Sequence, residues 1–208
     1  MPLQNRVDPW GKLHAVSDKG LFLGNRGIIH NDQKEIIASH KIQGWVTCRL
    51  SYKGVSRQIM APGKYTELFF LDEATAFSAG HRPCAQCRNK RYREFKKLWI
   101  EANVKLLGER PPTAANIDKI IHHERINKGE KVTYTADCML LPNGTIVQIN
   151  SSAYIIWEKE LFKWSFSGYS PSEKEQEIKS VEVLTPKSYV RMYSKGYIPC
   201  VHESLEKY

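Results

Sequence analysis

Short apolar runs separated by glycine, proline and polar turns dominate this chain, and their compactness predicts many short strands. In the first half, strands are predicted near 13–16, on both sides of a glycine turn within 20–30, over 43–53 and over 66–71. In the second half, hairpins are predicted over 139–149, around the turn Pro142-Asn143-Gly144-Thr145, and over 152–166, followed by a strand at 181–185. The pattern therefore predicts β-structure in both halves.

Four stretches show helical spacing or helix-start signals. They are 73–79, which Asp72 caps and Gly80 ends; 89–104; 114–127, which Thr113 caps; and 186–195. We expect an α+β fold with a first module at 1–104 and a second at 113–208, and the two could form one compact unit. The second module is expected to be a small antiparallel β-rich part with flanking helices.

Composition and charge narrow the function. With 41% hydrophobic and 11% aromatic residues, the chain can bury a core. The net charge is +9, and residues 1–104 carry 17 Lys and Arg against 9 Asp and Glu, whereas residues 105–208 carry 14 against 13. This one-sided excess favours a polyanionic partner, nucleic acid before membrane. A solvated basic surface that only keeps the protein soluble is the alternative.

Cysteine usage and the absence of long apolar runs indicate the compartment. No run of 18 or more apolar residues occurs, and the first residues lack the apolar core of a signal peptide. We therefore expect an intracellular, cytoplasmic protein. Five cysteines make an odd count, and in a reducing compartment a Cys-x-x-Cys pair is more often a metal site or a redox pair than a structural disulfide.

The clearest chemical motif is His81-Arg82-Pro83-Cys84-Ala85-Gln86-Cys87-Arg88. Two thiolates at the Cys84–Cys87 spacing can grip one metal ion in a tight knuckle, and a basic helix follows. A structural zinc site needs four ligands, and Cys48 on a preceding strand is the third candidate. His30, His40 and His81 are the candidates for the fourth, and an empty set of buried thiols is the alternative to any metal.

The stretch Glu73–Cys87 resembles the zinc-binding domain of the Ada DNA-repair family. That family has a short alanine-rich helix followed by Ala-Gly-aromatic-Arg-Pro-Cys-x-x-Cys, and the apolar run Leu68–Leu71 matches the strand before it. Upstream, Phe22–Asn25 and then Ile29-His30 look like a variant attached to bacterial nucleases. The resemblance covers about residues 20–95.

The resemblance implies a Zn²⁺ site and DNA binding. The implied zinc ligands are His30, Cys48, Cys84 and Cys87, with His81 as the alternative fourth ligand. In Ada the first ligand is a cysteine that accepts a methyl group from a DNA phosphotriester, but His30 stands in its place here. His81 replaces the family's aromatic residue and can keep its packing role.

Basic residues around the knuckle are the candidate contacts to DNA phosphates. They are Arg82, Arg88, Lys90, Arg91 and Arg93. The hypothesis from the sequence is therefore a zinc-binding, DNA-binding protein in DNA repair or in the recognition of modified or foreign DNA.

Two other functions stay open. One is a DNA-processing enzyme, either a base-excising glycosylase or a nuclease, with His123, Glu124, Arg125 and Asp137 as weak catalytic candidates. The other is a zinc-stapled scaffold for protein interactions.

Overall fold

Two six-stranded sheets, one from each half of the chain, contain most of the strands in the computed structural model. The structure describes residues 1–54, 58–172 and 178–205. The strands of the first sheet are β1 Arg6–Val7, β2 Leu13–His14, β3 Phe22–Asn25, β4 Val46–Arg49, β5 Leu68–Phe70 and β6 Arg82–Pro83, in the spatial order β2-β1-β5-β3-β4-β6. Parallel pairs join β1 to β5 and β4 to β6, so this sheet is mixed.

The second sheet is antiparallel at every pairing between its strands, as predicted. A separate small hairpin, β7 Ile126–Asn127 with β8 Glu130–Lys131, precedes it. The sheet contains β9 Tyr134–Asp137, β10 Ile146–Ile149, β11 Ser152–Trp157, β12 Glu160–Ser165, β13 Gly168–Pro171 and β14 Ser180–Val183, in the order β13-β12-β11-β10-β14-β9.

In the part of the chain that the structure describes, four α-helices lie near the predicted positions: α1 Glu73–Ser78, α2 Asn89–Leu107, α3 Ala114–Arg125 and α4 Lys187–Tyr193. The Asp72 side chain accepts the Thr75 N–H at 2.8 Å, and Thr113 accepts the Asn116 N–H at 3.2 Å. Both caps therefore form as the sequence predicted. Among the described residues no helix has the length and apolar character needed to cross a membrane.

The predicted strand at 139–141 is wrong. Residues Cys138–Leu140 form a short 3₁₀ helix, and β10 pairs instead with β11 and β14. The Asp137 carboxylate accepts the Met139 N–H at 2.9 Å, which closes a local turn. Such side-chain capping competes with strand pairing, and the apolar pattern alone does not reveal it.

Both halves contribute to the same hydrophobic clusters. One cluster packs Phe77 and Trp99 against Ile117 and Tyr189, all at most 1% exposed. Another packs Leu71 and Ala74 of the first half against the apolar face of the second sheet. Side chains from 1–104 and 113–208 therefore share buried contacts.

A buried carboxylate links α1 to three other parts of the chain. Glu73 is 0% exposed, and its oxygens accept hydrogen bonds from Arg88 Nη2 at 2.6 Å and Arg91 Nη2 at 2.6 Å. It also accepts the Tyr197 hydroxyl at 3.2 Å and the Cys200 N–H at 2.9 Å. Four donors thus balance one buried negative charge.

We predict that Glu73→Ala lowers the free energy of unfolding by about 3–5 kcal/mol, because it leaves the buried Arg88 without its carboxylate and removes one of the two carboxylates that pair with Arg91. Urea denaturation measures the loss. The matched control is Glu94→Ala: Glu94 pairs with Arg91 at 2.7 Å but its side chain is 42% exposed. Glu94→Ala should lower the free energy of unfolding by less than about 1 kcal/mol. Equal losses of stability in the two variants would refute the proposed structural role of Glu73.

Candidate metal centre

Three cysteine sulfurs meet at the edge of the first sheet. The sulfurs of Cys48, Cys84 and Cys87 all lie within 4.8 Å of one another, and within the described ranges this is the group of three or more potential ligands that could hold a metal ion. Cys48 and Cys87 are 9% and 8% exposed, while Cys84 is half-buried. Sulfurs around a tetrahedral zinc ion lie roughly 3.8 Å apart, given a Zn–S bond of about 2.3 Å, so this spacing fits a metal centre.

The strand register brings Cys48 to the knuckle. Strands β4 and β6 pair in parallel with Thr47 opposite Pro83, so the next positions along them are Cys48 and Cys84. The Cys84 N–H continues the ladder by donating to the Thr47 carbonyl at 2.9 Å. Pro83 has no N–H to donate, and β6 is an edge strand, the position in a sheet where proline is tolerated.

A buried arginine holds the end of the knuckle in place. The Arg88 N–H donates to the Cys84 carbonyl at 3.1 Å, which closes the turn that contains both cysteines. The Arg88 side chain donates to Thr47 Oγ1 at 2.5 Å and to Glu73 at 2.6 Å. The knuckle is therefore fixed to both β4 and α1.

The three thiols do not titrate alike. A hydrogen bond with Cys48 lowers the pKa of Cys84 to about 5, and the N–H groups of Cys87 and Gln86 act in the same direction against the effect of burial. The same hydrogen bond, followed by burial, raises the pKa of Cys48. Cys84 is thus the thiol that is ready to act as a thiolate ligand or nucleophile when no metal is bound.

None of the three candidate histidines joins this cluster of described ligand atoms. The predicted ligand His30 is buried, with Nδ1 2.6 Å from Thr66 Oγ1 and Nε2 3.3 Å from the Ala61 carbonyl. The alternative ligand His81 is 0% exposed, and its Nε2 accepts a hydrogen bond from Arg26 Nε at 3.3 Å. His40 lies with its ring 5.1 Å from that of His122.

The predicted phosphate contacts differ in whether they already have protein partners. Arg82 forms a buried bidentate pair with Asp118, at 2.7 and 2.8 Å. Arg88 is 5% exposed and Arg91 pairs with Glu73 and Glu94, so these three guanidiniums already have protein partners. Lys90 and Arg93 are exposed on α2. Sequence alone could not separate the two classes, because the carboxylate partners lie up to 36 residues away.

The weak catalytic candidates have separate partners. Glu124 accepts the Ser188 N–H at 3.0 Å, Arg125 donates to the carbonyls of Gly80 and Gln43, and Asp137 caps Met139. His123 is exposed on α3. These side chains contact different elements, so their contacts provide no support for a shared catalytic cleft.

Two residues that support the knuckle were not singled out from the sequence. Glu73 and Asp118 are the carboxylates that bind Arg88, Arg91 and Arg82. The sequence shows Glu73 at the start of α1 and Asp118 within α3, but acidic residues at such positions are common in any helix and do not indicate a buried ion pair.

Comparisons with protein-family models, with curated proteins and with solved structures found no match to this chain. The resemblance to the Ada zinc-binding domain therefore rests on the residues quoted above.

We predict that, after metal is stripped, iodoacetamide modifies Cys84 faster than Cys200 at about pH 6, although Cys200 is the more exposed residue. Cys84 has a lowered pKa and is largely thiolate above about pH 5, whereas burial raises the pKa of Cys200 and keeps it protonated there. Labelling of Cys84 should fall as the pH drops through about 5. Peptide mass spectrometry measures both rates, and faster labelling of Cys200 at this pH would contradict the prediction.

Proposed function

We propose that this protein is a zinc-binding, DNA-binding protein that acts in DNA repair or in the recognition of modified or foreign DNA. The observation that carries the proposal is the cluster of three cysteine sulfurs at the start of a helix with an exposed basic face.

The donor set favours zinc. Thiolates are soft ligands, and Cys48, Cys84 and Cys87 provide three of the four positions around a tetrahedral ion. A bound zinc ion would offset the charge of thiolates that lie among apolar side chains such as Leu23. Among the described residues, Cys48, Cys84 and Cys87 are the side chains that would hold the ion, and a bound zinc would supply Lewis acidity to a group at its fourth position.

The exposed side of α2 supports binding to a polyanion. Lys90, Arg93 and Lys97 are exposed and follow one another at helical spacing, so they lie along one side of the helix directly after the knuckle. Their ammonium and guanidinium groups have no carboxylate within ion-pair distance among the described residues. Because a metal-fixed knuckle would hold the start of this helix, metal binding and phosphate binding are linked.

The similarity to Ada supports a role at DNA rather than at another polyanion. The alanine-rich helix and the Arg-Pro-Cys-x-x-Cys segment match that family's pattern. The cysteine cluster forms without His30, so the proposed site uses only the cysteine part of the ligand set that the resemblance implied.

We predict that the purified protein holds one zinc ion per chain and that Cys84→Ser loses it, because the variant removes a thiolate from the cluster. Elemental analysis after dialysis measures the zinc content. The matched control is Cys200→Ser, since Cys200 is a free cysteine outside the cluster, and this variant should keep its zinc. Equal zinc in all three proteins, or none in wild type, would exclude the proposed centre.

We predict that the double variant Lys90→Ala, Arg93→Ala weakens binding to duplex DNA at every sequence tested and makes the slope of log K against log salt shallower by about 2, because each lost phosphate contact changes it by about 1. Fluorescence anisotropy at several salt concentrations gives the slope. The control Lys163→Ala removes an exposed charge from β12 and should leave the slope unchanged. If the wild-type protein does not bind DNA even at low salt, the alternative of a scaffold for protein interactions would be favoured.

A further inference from the structure

A cleft lies between the two halves of the chain, apart from the cysteine cluster. It has a volume of ≈ 670 Å³, and its lining includes the N-terminal turn at Trp10 and Gly11, the end of α3 and the β7–β8 hairpin. Four cations line it among the described residues: Arg26, Arg125 and Lys131, which are buried or half-buried, and Lys12, which is exposed. No part of the proposed zinc and DNA function uses these residues.

Arg26 is buried without a negative partner. Arg26 is only 2% exposed. Its side chain donates hydrogen bonds to two neutral acceptors, from Nη1 to the Gly11 carbonyl at 2.9 Å and from Nε to His81 Nε2 at 3.3 Å. The second terminal nitrogen, Nη2, has no hydrogen-bond partner. The guanidinium lies 4.1 Å from the centre of the Trp45 ring.

Arg125 repeats this arrangement from the other half of the chain. It is also 2% exposed, and it donates to the Gly80 carbonyl at 2.8 Å and the Gln43 carbonyl at 2.7 Å, while its Nε has no partner. Its guanidinium lies 3.7 Å from the Trp45 ring centre. Two guanidiniums therefore contact one indole beside the same cleft.

Lys131 brings a third cation to the cleft, and its Nζ donates to the Ser78 carbonyl. Burial, and then the charges of Arg125 and Arg26, lower the pKa of Lys131 to about 7. Burial also lowers the pKa of Arg26 to about 9 and that of Arg125 to about 9. Three like charges thus crowd a region that is poor in solvent.

Burial lowers the pKa of these cations, and the charges of Asp8, on Arg26 and Lys131, and of Asp118, on Arg125, oppose that shift only in part. Glu130 and Glu182 line the cleft, and Asp8 is engaged with His14 at 2.7 Å. Among the described residues no carboxylate lies within ion-pair distance of Arg26, Arg125 or Lys131.

Elsewhere the same chain pairs its buried arginines. Arg82 has Asp118 and Arg88 has Glu73, both at hydrogen-bond distance. An unpaired buried charge is costly, and a bound counter-ion removes that cost. The contrast separates structural arginines, which have carboxylates of their own, from cleft arginines, which lack them.

We propose that this cleft binds a phosphate group, either free phosphate or the phosphate of a nucleotide. A tetrahedral phosphate offers several acceptor oxygens and up to two negative charges, so it can balance cations that three different elements place along this cleft. A single carboxylate offers one charge and two oxygens and would leave more of this positive charge unbalanced. Arg26 belongs to the turn Gly24-Asn25-Arg26-Gly27, so the turn supplies a side-chain donor to the site.

Isothermal titration of the full-length protein with inorganic phosphate, against sodium chloride of equal ionic strength, tests the proposal. We expect saturable binding and a phosphate-dependent rise in the melting temperature. Arg26→Gln should weaken phosphate binding at least tenfold while keeping the zinc content of wild type, so failure here is distinguishable from failure of the zinc site.

A second variant covers the case in which Arg26→Gln does not fold. Lys131→Gln removes the half-buried cation and should also reduce both the affinity and the phosphate-dependent rise in melting temperature, whereas Lys163→Gln, which removes an exposed charge from β12, should change neither. Absence of saturable phosphate binding, or equal affinity in Lys131→Gln and wild type, would overturn the site.

Titration with a nucleoside 5′-monophosphate identifies the source of the phosphate, and titration with acetate tests whether the site prefers phosphate to a carboxylate. Tighter binding of a nucleoside 5′-monophosphate than of inorganic phosphate would assign the cleft to nucleotides, and equal or weaker binding would assign it to free phosphate. Acetate that binds as tightly as phosphate would overturn the assignment to phosphate.

Discussion

The arrangement of the three-cysteine cluster depends on the ion pairs of the buried Glu73 carboxylate. A carboxylate with no solvent contact is tolerated only because Arg88 and Arg91 approach it at 2.6 Å. Through these two arginines it fixes the end of the cysteine knuckle and the first turns of α2, and through Cys200 it holds the C-terminal segment. The position of the sulfurs therefore depends on a charge in the core as well as on the knuckle's own sequence.

Charge pairing divides the buried cations of this protein into two groups. Arg82 pairs with Asp118 and Arg88 with Glu73, so both charges are balanced inside the fold and both side chains connect separate elements. The hydrogen bonds of Arg26 and Arg125 go to carbonyl and imidazole groups, both guanidiniums lie on the Trp45 indole, and each retains a nitrogen with no hydrogen-bond partner. Because the guanidiniums of Arg26 and Arg125 have no carboxylate partner, a bound anion would stabilise them.

Strand β4 supports both candidate sites. Trp45 lies immediately before it and contacts the guanidiniums of the cleft, and Cys48 within it contributes a sulfur to the metal centre. The strand is held on both sides, by β3 and by β6, which fixes the backbone beside both sites. The two sites share backbone support but no ligand residues.

The sequence by itself determined the local elements, including the caps at Asp72 and Thr113 and the Cys84–Cys87 knuckle, because those signals act within a few residues. It also pointed to Cys48 as the third sulfur, but only the parallel register of β4 and β6 placed that sulfur beside Cys84. Only the tertiary structure decided which cations have a carboxylate partner and which do not. A charge is paired or unpaired according to partners that pattern and spacing do not encode, so the basic residues of the knuckle looked alike until their carboxylates were located.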